Sequence, residues 1–280
     1  MISKSKIILV TGSNKGIGYG IIEGLLKKKS NYRIILTSRN EELGKKSYNK
    51  LKEQYPYSKE TLFYHQLDIT KKESISELIS WIKTKFNKID YLVNNAGLGT
   101  HGVTTDINLH KSVIEVNVFG TINFTEQMIQ NDMINPKGKI ILVGSMMGNL
   151  NRLNSKKLIH AFKTAKTYQE LLNLAESFIK SYENNSVEKG GWCKNSYCVS
   201  KMVVNTYARV LSYREEIEKN DIGVYAAHPG WVKTDMTGPE APLTISEGAE
   251  NEIFLIELPD GINKEYQGKY FDRFKVTSFG

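Results

Sequence analysis

A chain of 280 residues with 40% hydrophobic content can bury a sizeable core, as one large α/β domain or two small ones, and is a globular protein. Its formal charge of +8 comes from lysines scattered in groups such as Lys27-Lys28-Lys29 and Lys71-Lys72, which reads as a solvated surface and not a nucleic-acid-binding block. No apolar run has the length to span a bilayer, and Cys193 and Cys198 have no His or Cys neighbours at ligand spacing, so neither a metal site nor a disulfide framework is expected.

Residues 1–6 run directly into an apolar stretch at 7–10, so no secretory leader is expected and a reducing cytoplasm fits. Under that reading the acceptor patterns at Asn123 and Asn184 carry little weight. The stretch 7–10 is the first of six short apolar runs bounded by polar or turn residues, the others being 33–36, 62–64, 91–93, 140–143 and 224–227; each reads as a strand buried on both faces.

Between the runs lie helical periods, Ile17, Ile21 and Leu25 after the first and Ile75, Leu78, Ile79 and Ile82 after the third. Strands alternating with helices predict a Rossmann-type, doubly wound parallel sheet of about seven strands, and the absence of repeats or a low-complexity linker predicts a single α/β domain over 1–280.

The first strand is followed by Thr11-Gly12-Ser13-Asn14-Lys15-Gly16-Ile17-Gly18. Glycines between a strand and a helix let bare backbone approach a pyrophosphate, and the helix N-terminus offers unpaired N–H groups; a purely structural tight turn is the competing reading. After the second strand stand Thr37-Ser38-Arg39 and no acidic residue, which selects NADP(H) over NAD, with Lys15 and Arg39 holding the 2′-phosphate. Asp68, just past the third strand, is placed to accept from the adenine amino group or to cap a helix, and Ile69 beside it joins the expected cofactor contacts. Capping boxes are predicted at Thr70/Glu73, Thr167/Glu170 and Thr244/Glu247, and Pro229-Gly230 and Pro259 mark breaks.

The segment 148–192 interrupts the alternation. Within it Leu171, Leu172, Leu174, Ala175, Phe178, Ile179 and Tyr182 recur at helical spacing, an inserted amphipathic helix that adds core, walls a substrate site or blocks an oligomer surface.

Asn94-Asn95-Ala96-Gly97 follows the fourth strand, Asn117 lies in the next helical stretch, Ser145 ends the fifth strand, and Tyr197-x-x-x-Lys201 opens an amphipathic helix. Strand ends of a parallel sheet face one edge, where ligands bind. Tyr197 and Lys201 share a helix face one turn apart, and a nearby ammonium is expected to lower the phenol pKa from about 10 toward neutrality. The same spacing occurs at Tyr48/Lys52 and Tyr55/Lys59, so order along the chain, not spacing, selects Tyr197 as general acid toward a carbonyl oxygen, with Ser145 bonding that oxygen.

Taken in order, Thr11-Gly12-x-x-x-Gly16-x-Gly18, Asn94-Asn95-Ala96-Gly97, Ser145, Tyr197-x-x-x-Lys201 and Pro229-Gly230 resemble the short-chain dehydrogenase/reductase family over nearly the whole chain. The resemblance implies that Lys201 binds the nicotinamide ribose, that Asn117 anchors a water replacing the proton, that Asn95 and Pro229 belong to the cofactor site, and that Val232 and Thr234 bond the nicotinamide amide. Asn14-Lys15, the long gap between Ser145 and Tyr197, Gly191-Trp192 and residues 229–236 resemble the carbonyl reductase branch, which implies reduction of ketones, aldehydes or quinones by a monomer whose inserted helix covers the tetramer surface. By the same resemblance Met147 and Trp231 wall an apolar substrate slot, although core packing explains either residue as well. Two other functions stay open: a biosynthetic alcohol dehydrogenase for one terpenoid, alkaloid or steroid ketone, and a catalytically silent NADPH sensor. His228 is not expected to be catalytic, and His65, His101, His110 and His160 do not cluster.

Overall fold

The computed structural model describes residues 5–29, 31–100 and 105–280; His101 lies outside them. The first half alternates as expected: β1 (Lys6–Val10), α1 (Gly16–Lys27), β2 (Tyr32–Ser38), α2 (Glu41–Gln54), β3 (Leu62–Gln66), α3 (Lys72–Phe86) and β4 (Ile89–Asn94). Then come α4 (Ile107–Ile114), a π-helical turn (Glu115–Gly120), α5 (Thr121–Gln130) and β5 (Ile134–Val143). The segment 148–192 carries α6 (Lys156–Thr164) and α7 (Tyr168–Glu183), and the chain closes with α8 (Ser196–Ser212), α9 (Glu215–Lys219), β6 (Gly223–Ala227), α10 (Ile245–Glu257), β7 (Tyr270–Asp272) and β8 (Lys275–Thr277).

The sheet order is β3-β2-β1-β4-β5-β6-β7-β8, parallel except for the β7–β8 pair. The chain leaves β1 toward β2 and β3 on one side and returns beyond β1 to β4, so the order reverses at the β1/β4 boundary and opens a crevice at the carboxyl edge. Successive strand residues point to opposite faces. Ile8, Val10, Ile141 and Val143 pack with Ile21 and Leu25 of α1 and Ile253 and Ile256 of α10, while Leu9, Ile140 and Leu142 pack with α3, α5, α7 and α8.

Eight strands stand where about seven were expected. The extra one, β8, is three exposed residues joined to β7 through Arg273 and Phe274, both left-handed (φ 46° and 67°). A two-residue hairpin turn of that hand normally announces itself by Asn or Gly. Here a tertiary contact stabilises it, the Phe274 N–H donating to Asn251 Oδ1 at 2.9 Å.

Two of the three predicted capping boxes form, at Thr167/Glu170 and Thr244/Glu247. The third does not: α3 begins after Lys71, and Thr70 turns back to give its O–H (2.7 Å) and N–H (2.9 Å) to Asp68 Oδ1. A carboxylate two residues upstream outcompetes the helix for the threonine.

In α7 the residues Leu171, Ala175 and Phe178 form the buried stripe, and Leu172, Leu174, Ile179 and Tyr182 flank it half-buried. The helix lies across α4, with Phe178 and Tyr182 around the His110 ring and Lys111 paired to Glu183 at 2.7 Å. No helix among the described residues is long and apolar enough to cross a membrane.

Candidate functional site

The glycine turn is built against the loop after β4. Thr11 Oγ1 accepts the backbone N–H groups of Asn95 and Ala96, each at 2.9 Å, and the Asn95 side chain donates to the carbonyls of Thr11 (2.8 Å) and Gly12 (3.0 Å). Any Cβ at Gly12 would stand 2.8 Å from Ala96 Cα, and one at Gly18 2.5 Å from Asn95 Nδ2, so these glycines are imposed by packing as well as by the left-handed backbone at Gly12 (φ 58°). Ser13 Oγ bonds the Val10 carbonyl at 2.8 Å and accepts from the Thr37 N–H at 3.1 Å, and Ser47 Oγ donates to the Asn14 carbonyl at 2.7 Å.

Among the described residues no side chain caps α1, whose first N–H groups therefore face the crevice as a ready anion site. Past β2, Arg39 is exposed and Thr37 and Ser38 are buried, so a cation and two hydroxyl residues, and no carboxylate, occupy that corner. These features fit an NADP(H) phosphate backbone.

The loop 229–243 crosses the crevice mouth. A Cβ at Gly16 would meet Thr234 Cγ2 at 3.8 Å, one at Gly248 would meet Val232 and Ile17 within 3 Å, and one at Gly99 would meet Met236 Cγ at 2.5 Å. Gly16, Ile17, Val232 and Thr234 are thus brought together. Lys15, expected to meet a 2′-phosphate, instead pairs with Asp235 of this loop at 2.7 Å; both side chains are well exposed, so the pair is screened and exchangeable. Asp68 is also partly committed, since one carboxylate oxygen serves Thr70.

At the end of β5, Ser145 is buried and its Oγ accepts from the Met147 N–H at 3.1 Å. Tyr197, in the first turn of α8, hydrogen-bonds Ser145. One turn on, Lys201 is buried, its Nζ donates to the Val143 carbonyl at 2.7 Å and lies 5.7 Å from the Tyr197 ring centre. Ser145, Tyr197 and Lys201 therefore converge at one strand end.

Electrostatics here departs from the expected direction. Burial pushes the Tyr197 phenol up, and the group that pulls it back is the Ser145 hydroxyl and not Lys201. Burial lowers the Lys201 ammonium to about 8, opposed by the Glu252 carboxyl. Desolvation disfavours the charged form of each group and sets both directions.

Asn117 sits in the π-helical turn, fully engaged on one side: Oδ1 accepts from the Leu98 N–H at 2.7 Å and Nδ2 donates to the Leu98 carbonyl (2.9 Å) and Ser200 Oγ (3.0 Å). A single lone pair on Oδ1 remains for a water. Met147 lies beside Ser145 with its sulfur 3.3 Å from the Arg152 guanidinium, whereas Trp231 is 51% exposed and its backbone carbonyl serves Leu243.

The sequence reading missed Asn205. Its amide donates to the Ser145 (3.1 Å) and Gly148 (3.4 Å) carbonyls and its Oδ1 accepts from the Ser145 N–H at 3.4 Å. The signal was available, because 197, 201 and 205 are spaced i, i+4, i+8 on one face. Asn205→Ala should cost about 2–4 kcal/mol by leaving buried backbone groups unpaired, read from the urea midpoint; an unchanged midpoint would show that the loop does not depend on it.

The competing Tyr/Lys pairs stand apart from this cluster. Lys52 Nζ donates to Tyr48 OH at 3.1 Å, but Tyr48 lines a surface hollow with Lys45, Tyr64 and Trp81, and Tyr55 bonds Glu23. His228 is a buried structural imidazole, Nε2 3.1 Å from Asp272 and Nδ1 accepting from the Gly230 N–H at 3.0 Å, its pKa lowered by burial. Among the described residues no three His, Cys, Asp or Glu side chains are grouped to hold a metal ion.

The profile of the short chain dehydrogenase family matches residues 6–166. The chain is 31% identical to a (+)-neomenthol dehydrogenase of Capsicum annuum, covering 99% of this chain and 98% of that protein, and 33% identical to carbonyl reductase (NADPH) 1 of Bos taurus over the full length of both. The structure of salutaridine reductase from Papaver somniferum superposes with a TM-score of 0.84 at 27% identity, covering 95% of this chain and 99% of that one.

Proposed function

This chain belongs to the short-chain dehydrogenase family, and from that premise we propose that it is an NADPH-dependent reductase of ketones, aldehydes or quinones, acting as a cytoplasmic monomer with one domain spanning 1–280. The observation that carries the reading is the meeting of Ser145, Tyr197 and Lys201 at the end of β5, on the same sheet edge from which β1 leads into the uncapped N-terminus of α1.

When bound, the nicotinamide supplies the hydride to the carbonyl carbon. Tyr197 gives its phenolic proton to the carbonyl oxygen; its raised pKa keeps that proton in place at neutral pH. Ser145, whose oxygen accepts from Met147, turns its O–H from Tyr197 to hold the same oxygen. Lys201 spends one N–H on Val143 and offers the others to the cofactor ribose. Arg39, with Lys15 once released by Asp235, holds the 2′-phosphate, and Asn14, Gly12, Gly16 and the α1 N-terminus hold the pyrophosphate. Arg39→Asp is expected to erase a preference for NADPH over NADH of at least tenfold, measured by cofactor titration; equal affinities in the unaltered protein would refute the assignment.

The reading is tested by following NADPH absorbance against menadione, isatin, a steroid ketone and a terpenoid ketone. Consumption with several supports a broad carbonyl reductase. Turnover of a single ketone would favour a biosynthetic dehydrogenase, a reading that the neomenthol dehydrogenase and salutaridine reductase likenesses support. NADPH binding without consumption would favour a silent sensor. The placement of α7 across α4 supports the monomer, and sedimentation at micromolar concentration tests it.

A further inference from the structure

Two thiols flank the proposed acid, and its chemistry uses neither. Cys193 lies in the turn before α8 and Cys198 in the first turn of that helix, next to Tyr197. Asn195 folds the stretch between them: its backbone carbonyl accepts from Cys193 Sγ at 3.8 Å, and its side chain, the cap of α8, accepts from the Cys198 N–H at 3.1 Å. The turn thereby brings the two thiols close enough for each to act on the other's titration.

The pair is asymmetric in the way a nucleophile and its resolving partner must be. Cys193 is partly exposed with the Arg152 guanidinium in range, whereas Cys198 is buried. The neighbouring Cys198, with help from nearby backbone and Arg152, lowers Cys193 against burial, while Cys193 and burial push Cys198 up. Of the two sulfurs the accessible one is therefore the more readily deprotonated, and the thiolate is the nucleophile.

We propose that Cys193 and Cys198 form a reversible intramolecular disulfide on exposure to a peroxide, and that closing it halts turnover at Tyr197. The Cys193 thiolate attacks a peroxide oxygen and breaks the O–O bond, giving a sulfenic acid and, with one proton, water. The Cys198 thiol then attacks the sulfenic sulfur, and the departing hydroxide leaves as water with the thiol proton. Two thiols are oxidised and hydrogen peroxide is reduced to two waters; a dithiol reverses the bond by exchange. A disulfide draws the sulfurs to about 2.05 Å, well inside hydrogen-bonding distance, so the first turn of α8 must shift. Displacing a reacting group by about 1 Å costs on the order of 10²-fold in rate.

The effect on turnover rests on the role proposed for Tyr197; the disulfide does not. The full-length protein treated with hydrogen peroxide should lose both titratable thiols and two hydrogens by intact mass, with a peptide linking 193 to 198 after digestion, and regain them with dithiothreitol. NADPH-dependent turnover of isatin should fall at least tenfold and recover in parallel. Cys193→Ser should keep its basal turnover and resist peroxide, and Cys198→Ser should yield a dimedone adduct at Cys193. Two thiols still titratable after peroxide, a disulfide between chains, or an internal disulfide with turnover unchanged would each overturn the proposal. If the unaltered protein turns over no carbonyl, the functional reading fails, while thiol counting and mass still decide whether the disulfide forms.

Discussion

Tyr197→Phe should lower kcat for carbonyl reduction by about 10²–10⁴-fold, the range general acids contribute, while leaving the NADPH dissociation constant nearly unchanged. The substitution removes one oxygen from a ring that is already half-buried and packed beneath Lys201, so the fold should tolerate it. Burial raises the phenol pKa, which favours the protonated acid used in reduction and opposes the phenolate needed as base in alcohol oxidation. The oxidation rate should therefore keep rising with pH beyond neutrality where reduction does not. Stopped-flow binding and steady-state turnover on the same preparation separate the two effects; a variant retaining a tenth of the activity would remove Tyr197 from the acid role. Phe at the competing position Tyr48, which bonds Lys52 in the same i, i+4 geometry, should leave turnover intact.

The contrast between Tyr48 and Tyr197 shows what was legible in the sequence. Local chemistry is alike in both pairs; Ser145 and the turn at Gly12 distinguish Tyr197, and their chain order already carried that distinction. The six apolar runs all became strands; burial on both faces leaves a continuous signal in the central ones, whereas β3, at the sheet edge, is buried at Leu62 and only half-buried at Phe63 and Tyr64. What escaped depends on tertiary partners. The β7–β8 turn is left-handed at Arg273 and Phe274 through the hold of Asn251, and Thr70 abandons α3 because Asp68 lies within reach. The downward pull expected of Lys201 on Tyr197 could not be weighed without knowing how deeply both would be buried.

Glu252 is the extreme case, a glutamate of α10 that the structure places at 0% exposure. Among the described residues neither of its carboxyl oxygens has a hydrogen-bond partner. Burial raises its pKa from 4.5 to about 8, countered by Lys201 of α8; Tyr270 of β7 feels its charge in turn. The sign follows directly: a carboxyl with a folded pKa above its unfolded one contributes stability that is complete below pH 4.5 and lost as pH rises toward 8. At about 1.4 kcal/mol for each pH unit, the ceiling of that loss is about 5 kcal/mol. Glu252→Gln keeps the shape and cannot ionise, so it should match the unaltered protein near pH 4.5 and exceed its unfolding free energy by a few kcal/mol at pH 8. Part of the gain is returned because Lys201 loses the Glu252 counter-charge and its pKa falls further. Urea unfolding of both proteins across pH 4.5–8.5 decides the matter, and two curves that stay parallel would show that Glu252 is not carried uncharged in the fold.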